Sequence, residues 1–274
     1  MKYNGISLLA LTLFIPTAIA GSMGDVAAPG PGGLFIGIGG AYDALRVKSS
    51  DSALLNVDSG FPPLGIYSGA RNSYSESEDK LIPMTQVGYF GALNNSGWLW
   101  GLELVYQHSR LDVTHNAASI HFFNPVEAVS NELRVEGFKT KMDNQWMLPA
   151  LIGHSFKNSV LYLGAGPSLQ KVEHSVYRSS DTQSGYYIGN LNGFSDEKWL
   201  WGGAVQAGIA YFLNPSWFLM LNYTYSKTET YKQNHVISFT PEINEGFNGG
   251  LLSFNTSQRL STQAVSLSIN KVFA

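Results

Sequence analysis

The fold is decided by the last stretch of the chain, Ser261-Thr-Gln-Ala-Val-Ser-Leu-Ser-Ile-Asn-Lys-Val-Phe273. From Val265 onward every second side chain is apolar, with Lys271 as the exception. An alternation of period two is typical of a β-strand with one apolar and one polar face. The apolar set is Val265, Leu267, Ile269 and Phe273. A soluble antiparallel sheet has the same pattern, so the rest of the chain must show what the apolar face meets.

Composition favours one large all-β domain. The 274 residues include 29 Gly, 14 Tyr, 15 Phe and 6 Trp, and only 14% are charged, against about 25% in soluble domains. The net charge of −3 gives no reason to expect nucleic acid as a partner. Because the chain has no Cys, no disulfide framework stabilises it. Stability must therefore come from backbone pairing and burial.

The amino-terminal segment has the features of a secretory signal. Lys2 precedes a largely apolar run from Ile6 to Ile19, and Ala18-Ile-Ala20 matches an A-x-A cleavage site. We expect residues 1–20 to be removed after export through the Sec pathway, and residues 21–33, rich in Gly, Pro and Ala, to form a flexible leader. No later segment approaches the ~20 uninterrupted apolar residues of a membrane-spanning helix.

Turn signals divide residues 34–274 into eight predicted strands. Three connections are short and contain typical turn residues, namely Asn94–Gly97, Lys157–Ser159 and Asn214–Ser216. The other four, at about 49–80, 114–139, 173–197 and 232–260, are long. Long and short connections alternate strictly, so in an up-and-down barrel all four long loops lie at one end. That arrangement is typical of transmembrane barrels.

Each predicted strand combines an apolar face with a mixed, small and partly charged face, the reverse of a soluble barrel. Aromatic residues cluster at both strand ends, as in the belts at the two membrane interfaces. The belt near the short turns consists of Trp98, Trp100, Phe156, Phe212, Trp217 and Phe273, and the belt near the long loops of Tyr106, Trp146, Trp199, Trp201, Tyr223 and Tyr225. The ten steps from Trp146 to Phe156 span roughly 25 Å, the height of the apolar band.

Three features of the sequence are shared with a known family: the stretch Phe35-Ile-Gly-Ile-Gly-Gly-Ala-Tyr42, the stretch Leu161-Tyr-Leu-Gly-Ala-Gly-Pro167 and the alternating last strand that ends near an aromatic residue. In these features the chain resembles the small outer-membrane barrels of the outer membrane protein A and opacity type. The resemblance implies an eight-stranded antiparallel barrel in the outer membrane of a Gram-negative cell. It also implies contact with outer-membrane lipid and lipopolysaccharide, and insertion by the barrel assembly machinery.

Strict alternation predicts that five polar residues point into the barrel: Glu103, Lys141, Asp143, Gln145 and Gln206. Interiors of eight-stranded barrels are just wide enough for side chains to fill, and buried charges there must be paired. We favour an internal ion pair between Glu103 and Lys141 over a gated proton or ion path. Inward glycines such as Gly37 and Gly101 keep a narrow water-filled lumen open as an alternative.

Candidates for catalysis and metal binding are weak. His108-Ser109 and His154-Ser155 invite comparison with lipid-trimming hydrolases of the outer membrane. Adjacent strand residues point to opposite faces, so neither pair can form a catalytic dyad within its own strand. The six histidines show no spacing typical of metal ligands. We expect no enzyme activity, no metal and no cofactor.

The long loops carry two local signals. Asn124-Pro-Val-Glu127 followed by residues 128–133 predicts a short helix, with Asn124 as its N-cap. Apolar groups at residues 236–239, at Phe247 and at residues 251–254 either pack locally or bind a partner, and packing is favoured. We expect a structural or adhesive surface protein that acts through its loops on a host or extracellular ligand, with a narrow porin-like channel as the alternative.

Overall fold

The computed structural model describes residues 32–58, 66–70, 73–93, 97–124, 129–177, 179–183, 190–191, 193–239 and 249–273. The predicted signal peptide, most of the leader, Phe247 and the turn residues 94–96 lie outside them. No helix among the described residues is long and apolar enough to cross a membrane. The strands are β1 (Gly32–Asp58), β2 (Ile66–Ala70), β3 (Tyr74–Leu93), β4 (Trp98–Asn124), β5 (Val129–Met147), β6 (Ala150–Phe156), β7 (Ser159–Val176), β8 (Ser179–Gln183), β9 (Asn190–Leu191), β10 (Phe194–Asn214), β11 (Trp217–Thr228), β12 (Tyr231–Phe239) and β13 (Gly249–Phe273).

The strands close into an antiparallel ring of eight. The order around the ring is β1, β3, β4, β5 with β6, β7, β10, β11 and β13, and β13 pairs back to β1. β5 and β6 act as one wall strand that is interrupted at Leu148-Pro149. Closure pairs Leu34 with Phe273 and Asp43 with Ala264, so the first and last strands of the chain are neighbours in the ring.

The outward face of the barrel is apolar over a limited height. Ile38 is 63% exposed and Leu267 is 56% exposed. On β1 and β13 this apolar series ends at Tyr42 and Val265, which pair with each other. The nine residues from Leu34 to Tyr42 span roughly 20–25 Å along the barrel axis, the thickness of the apolar band of a membrane barrel. We call this height the membrane band.

The strands continue well beyond the membrane band, where loops were predicted. β1 and β13 stay paired as far as Asp58 and Gly249. At a rise of about 3.4 Å and a tilt near 40°, the 25 residues of β13 span roughly 60 Å. The predicted bounds of the long loops are therefore wrong wherever β1 to β5, β7 to β10, β12 and β13 pass through them. We call the part of the wall beyond Tyr42 and Val265 the extension.

The predicted short helix is also wrong where the structure describes it. Asn124 is the last residue of β4, and Val129 opens β5 opposite it. Pairing then continues from Ser130 opposite Phe123 toward the membrane band. The helix expected from the capping signal does not form, because pairing with a neighbouring strand satisfies the same backbone N–H and C=O groups. Tertiary context here overrides the local helix propensity. Residues 125–128 lie outside the described part of the chain.

Candidate functional site

The end of the barrel with the short turns is filled by aromatic side chains. Phe218 lies with its ring centroid 5.3 Å from Phe35 and 5.0 Å from Phe212. Phe90 closes the group, 6.4 Å from Phe218. Around them pack Val160, Tyr162, Ala210, Met220 and Val272. A small apolar cavity of about 50 Å³ is left within this lower apolar layer.

Phe212 belongs to this layer and not to a belt, which corrects the sequence prediction. It is only 4% exposed. The alternation along β10 places Tyr211 outward and Phe212 inward. The prediction assigned Phe212 by its distance from the turn and overlooked the face on which it lies.

Above the aromatic layer the barrel contains a buried carboxylate. Glu103 of β4 is 0% exposed, and its Oε2 accepts a hydrogen bond of 2.9 Å from Gln206 Nε2. Among the described residues no cation forms an ion pair with it, and its Oε1 has no hydrogen-bond partner. Nearby, Gln86 Nε2 donates to Asn270 Oδ1 over 2.6 Å. Gly37 makes room for this amide pair, because a Cβ there would collide with Asn270.

A second polar layer converges on Ser226. Its hydroxyl lies 2.9 Å from Gln145 Nε2, 2.8 Å from Gln170 Nε2 and 2.7 Å from Thr262 Oγ1. All four side chains are buried. Of the predicted interior residues, Glu103, Gln145 and Gln206 thus lie inside the barrel. They fall in two separate layers.

Lys141 and Asp143 do not point into the barrel as predicted. Their side chains are 37% and 19% exposed, and Lys141 Nζ lies 2.8 Å from Asp143 Oδ1. The register shifts between Met142 and Asn144, so a β-bulge reverses the alternation at this point of β5. Met142 is buried in their place. The predicted ion pair between Glu103 and Lys141 is consequently not formed.

A second apolar layer closes the interior just above the membrane band. It consists of Leu45, Val47, Leu111, Val113, Met142, Val172, Leu200, Tyr231 and Leu260. Leu45, Leu111, Met142 and Leu260 are each 0% exposed. The Tyr231 hydroxyl donates to Asp196 Oδ2 over 2.6 Å, which fixes β12 against β10. Apolar side chains therefore close the interior both at the end with the short turns and just above the membrane band.

The extension has its own polar centre around His174. Its Nδ1 accepts a hydrogen bond of 2.9 Å from Gln258 Nε2, and Phe138 stacks on the ring at 6.3 Å between centroids. Burial lowers the pKa of His174 to about 4, and the Asp196 carboxylate only partly opposes this. His174 was not among the site residues predicted from the sequence. The signal was present, since it follows Gln170 and Val172 on the inward face of β7.

The other predicted belt residues lie on the outward face. Trp98, Phe156 and Trp201 are 46%, 53% and 59% exposed, and Tyr106 packs on Trp146 with 4.5 Å between ring centroids. Lys271 lies over the rings of Trp217 and Phe273, at 5.8 and 5.4 Å from their centroids. These distances allow cation–π contacts, and the long side chain can reach the headgroups.

The profile of the outer membrane protein beta-barrel domain family matches residues 18–240. The chain belongs to this family. Its place is accordingly the outer membrane of a Gram-negative cell. The apolar outward face then meets lipid, and no edge of the sheet is left open within the membrane band. Among curated proteins none matches the sequence.

Solved structures of outer-membrane barrels show a distant likeness. The attachment invasion locus protein Ail of Yersinia pestis, solved with the heparin analogue sucrose octasulfate, has 10% identity and a TM-score of 0.31, with 82% of this chain and 98% of that chain covered. Neisserial surface protein A has 15% identity and a TM-score of 0.32, with coverages of 83% and 97%. The protease OmpT of Escherichia coli has 10% identity and a TM-score of 0.36, with coverages of 88% and 97%. Such low scores carry no argument about function.

The histidines considered for catalysis in this outer-membrane barrel contact other groups. His108 Nδ1 lies 2.9 Å from Asn144 Oδ1, while the neighbouring Ser109 is buried on the inward face. His154 packs on Trp98 and Phe156 at 5.1 and 4.7 Å between ring centroids. Among the described residues no group of three or more His, Asp or Glu is placed to hold a metal ion.

The apolar residues of the fourth long connection divide between the two faces of the extension. Leu252 and Phe254 are 1% and 3% exposed, and Phe254 packs on Phe138 at 5.8 Å between ring centroids. Val236 and Leu251 are 52% and 48% exposed. Local packing thus accounts for the first two side chains. The latter two lie on the outer surface of the extension.

Proposed function

We propose that the protein is a non-enzymatic surface protein whose extension projects from the cell and contacts a host or extracellular ligand. The observation that carries this proposal is the unbroken pairing of β1 with β13 to Asp58 and Gly249, far beyond the membrane band. A rigid wall of this height holds its outer end clear of the lipid headgroups. Its outward side chains include polar and exposed ones such as Lys48, Ser50 and Asn255.

The channel alternative is opposed by the two apolar layers. Phe218 and its neighbours fill the lower end, and Leu260 with its neighbours fills the upper end. The polar layers around Glu103 and Ser226 lie between them. We expect the folded protein to give no conductance steps in a planar lipid bilayer. Steps that change on Glu103→Gln would instead favour a channel.

The direction of the extension is tested by labelling of introduced cysteines. The chain has no Cys, so each single variant carries one reactive thiol. Asn255→Cys lies on the outer face of the extension, and Ser216→Cys lies in an exposed short turn. In intact cells a membrane-impermeant maleimide should label the first and reach the second only after permeabilisation. Labelling of Ser216→Cys alone would reverse the orientation and refute the proposal.

The role of the extension is tested by shortening it at paired positions. Ser49 faces Tyr74 and Tyr231 faces Gln258, so each pair can be joined by an Asn-Gly turn. The shortened barrel should still insert and migrate heat-modifiably in detergent gels. Cells that display it should lose adhesion to epithelial monolayers relative to cells that display the full chain. Equal adhesion by both would refute a role for the extension.

The proposal also covers how the protein is exported and how it is inserted into the outer membrane. The alternating β13, with Val265, Leu267, Ile269 and Phe273 facing lipid, is the segment that we propose the barrel assembly machinery recognises. Export through the Sec pathway is proposed from the sequence of residues 1–20. Lipopolysaccharide is the lipid that the extension should meet first.

A further inference from the structure

Asp43 of β1 is a second buried carboxylate in the barrel, at the upper edge of the membrane band. Its side chain is 0% exposed. The backbone N–H of Ala44 approaches it, but neither carboxylate oxygen accepts a hydrogen bond of normal geometry from a described residue. Lys80, its ladder partner on β3, is exposed and forms no ion pair with it. The charge of Asp43 is therefore not balanced by any described side chain.

Asp43 lies at the height of the second polar layer, around Ser226. Across the ladders it is in line with Thr224 of β11 and Gln206 of β10. The same line continues through β7, β6, β4 and β3 and returns to β1 at Gly33. Gly33 is much nearer the short turns than Asp43, so the line descends by about 3 Å at each strand, as a tilt near 40° requires. Ser226, two residues above Thr224, is therefore within about 2 Å of the height of Asp43.

The layer that contains Asp43 and Ser226 has acceptor oxygens without donors. Gln145 and Gln170 both donate through Nε2 to Ser226, and the Oε1 atom of each has no hydrogen-bond partner. With the two oxygens of Asp43, four acceptor atoms from β1, β5 and β7 lack a donor among the described residues. Two inward hydroxyls that are buried without a partner flank them, on Ser109 and Ser168.

Neither a proton nor a water molecule satisfies this layer by itself. Protonation of Asp43 supplies one donor, which serves one acceptor and leaves the other oxygens without a partner. A water molecule donates twice but leaves the negative charge of the carboxylate unbalanced. Buried charges in proteins are paired or coordinate a metal ion. A single cation contacts several oxygens at once and neutralises the carboxylate.

The charge of the layer favours a monovalent cation. The other buried carboxylates of the described residues lie elsewhere, Glu103 in the polar layer below and Asp51 in the extension. The amides and hydroxyls around Asp43 are neutral, so an alkali-metal ion leaves no net charge, whereas a divalent ion leaves one positive charge between two apolar layers. Carboxylate, carbonyl and hydroxyl oxygens are the ligands of such hard cations.

We propose that Asp43, together with Oε1 of Gln145 and of Gln170, binds one alkali-metal cation inside the barrel. The ion connects β1 with β5 and β7 across the interior, directly beneath the apolar layer that contains Leu45 and Leu260. It thereby fixes the base of the extension to the membrane band. Because apolar side chains close the interior above and below, the ion enters while the barrel folds and then exchanges slowly. The site is independent of the orientation and of the surface role proposed above.

The test measures which cations the full chain retains after refolding. The chain is refolded in detergent micelles with radioactive sodium, or with radioactive rubidium in place of potassium, and choline chloride supplies the remaining ionic strength. After gel filtration the native chain should retain about one ion of at least one of the two, which matches the single carboxylate. Asp43→Asn keeps the shape and removes the charge, so it should lower retention at least about tenfold.

Glu103→Gln is the matched control. It removes the other buried carboxylate of the membrane band, in a different layer, and should leave retention within about twofold of the native chain. Heat-modifiable migration in detergent gels shows that each variant is folded. If Asp43→Asn does not fold, Gln170→Met removes a single ligand oxygen at similar volume and should lower retention about threefold or more.

An equilibrium measurement covers an ion that exchanges faster than gel filtration. Because the cation binds the folded chain, sodium or potassium chloride should raise the urea midpoint of unfolding above that in choline chloride of equal ionic strength. The shift should vanish in Asp43→Asn and persist in Glu103→Gln. The proposal is overturned if the native chain shows neither retention nor shift, if Asp43→Asn behaves as the native chain does, or if both variants lose the ion equally. Retention of radioactive calcium in preference to both alkali ions would contradict the monovalent assignment.

Discussion

β13 passes through two different solvents, and its two halves show what each solvent demands of a sequence. From Val265 to Phe273 the outward side chains are apolar, and the inward ones include Ser266, Ser268 and Asn270. From Gly249 to Ser261 the outward side chains include Asn255 and Arg259, and the inward ones include Leu252, Phe254 and Leu260. Backbone pairing with β1 is continuous through both halves.

The two halves of β13 show that a strand can form without an apolar outward face. Lipid requires an apolar exterior and a fully paired backbone, whereas water requires only that the interior be packed. The membrane band therefore tolerates polar layers inside, because lipid contact already accommodates its apolar residues. The extension reverses this and places apolar side chains inside, as a soluble barrel does.

The largest expected effects concern the interior, where the two regions should behave alike. Phe218→Ala in the lower apolar layer and Leu260→Ala in the upper one each remove a buried side chain, 2% and 0% exposed respectively. We expect losses of about 3–5 and 2–5 kcal/mol in the free energy of unfolding. Urea titration in phospholipid vesicles measures both. A negligible loss for Leu260→Ala would mean that the extension is not packed.

Substitutions to Arg on the outward face should have different costs in stability in the membrane band and in the extension. Ile269→Arg places a cation in the lipid at the middle of the membrane band, where Ile269 pairs with Ile38, and should cost about 2–4 kcal/mol. Asn255→Arg places the same cation on the outward face of the extension and should change stability by less than about 0.5 kcal/mol. The same titration compares them. Equal costs would contradict the boundary that we place at Tyr42 and Val265.

Acid should destabilise the extension through His174. Its pKa is about 4 in the folded protein and 6.5 as the ordinary value. The unfolded chain therefore binds more protons between these values, and stability is lost as the pH falls from 6.5 toward 4. We expect a loss of about 2 kcal/mol by pH 5. His174→Gln should flatten this part of the pH profile of unfolding, and an unchanged profile would assign the acid sensitivity to another group.

The smallest expected changes in stability concern two carboxylates. One is unpaired inside the membrane band, and the other is paired on the water-exposed surface. Glu103→Gln keeps an acceptor for Gln206 and removes a buried charge that has no cationic partner among the described residues. We expect stabilisation by about 1 kcal/mol. Glu197→Gln, which breaks the exposed pair with Lys171, should have an effect near zero. Strong destabilisation by Glu103→Gln would reveal a cation that holds the carboxylate.

The sequence predicted the part of the fold that lies in lipid. Alternation with an apolar outward face located all eight wall strands, and the turn residues located their short connections. The extension was missed because most of its outward residues are polar and its inward ones alone carry the pattern. Asn255, Ser257 and Arg259 therefore looked like loop residues, although Phe254 and Leu260 next to them are buried.

Side-chain positions in the interior were predictable only where the alternation is unbroken. Glu103 and Gln206 fell inside as expected. Lys141 and Asp143 did not. A β-bulge arises from the pairing of two strands and cannot be recognised in the sequence of one of them. The pairing of Lys48 with Arg259 was missed for a similar reason, since the register that places them opposite each other joins residues from the two ends of the chain.

The continuity of the wall is tested most directly by amide hydrogen exchange of the full chain in lipid nanodiscs. β13 has a paired neighbour on both sides from Gly250 to Gln258, namely β1 and β12. Amides from Leu252 to Gln258 should therefore exchange at least about 100-fold more slowly than in an unstructured peptide, approaching those of Leu267 and Ile269. Exchange at the rate of an unstructured peptide would contradict the extension and restore a long loop in its place.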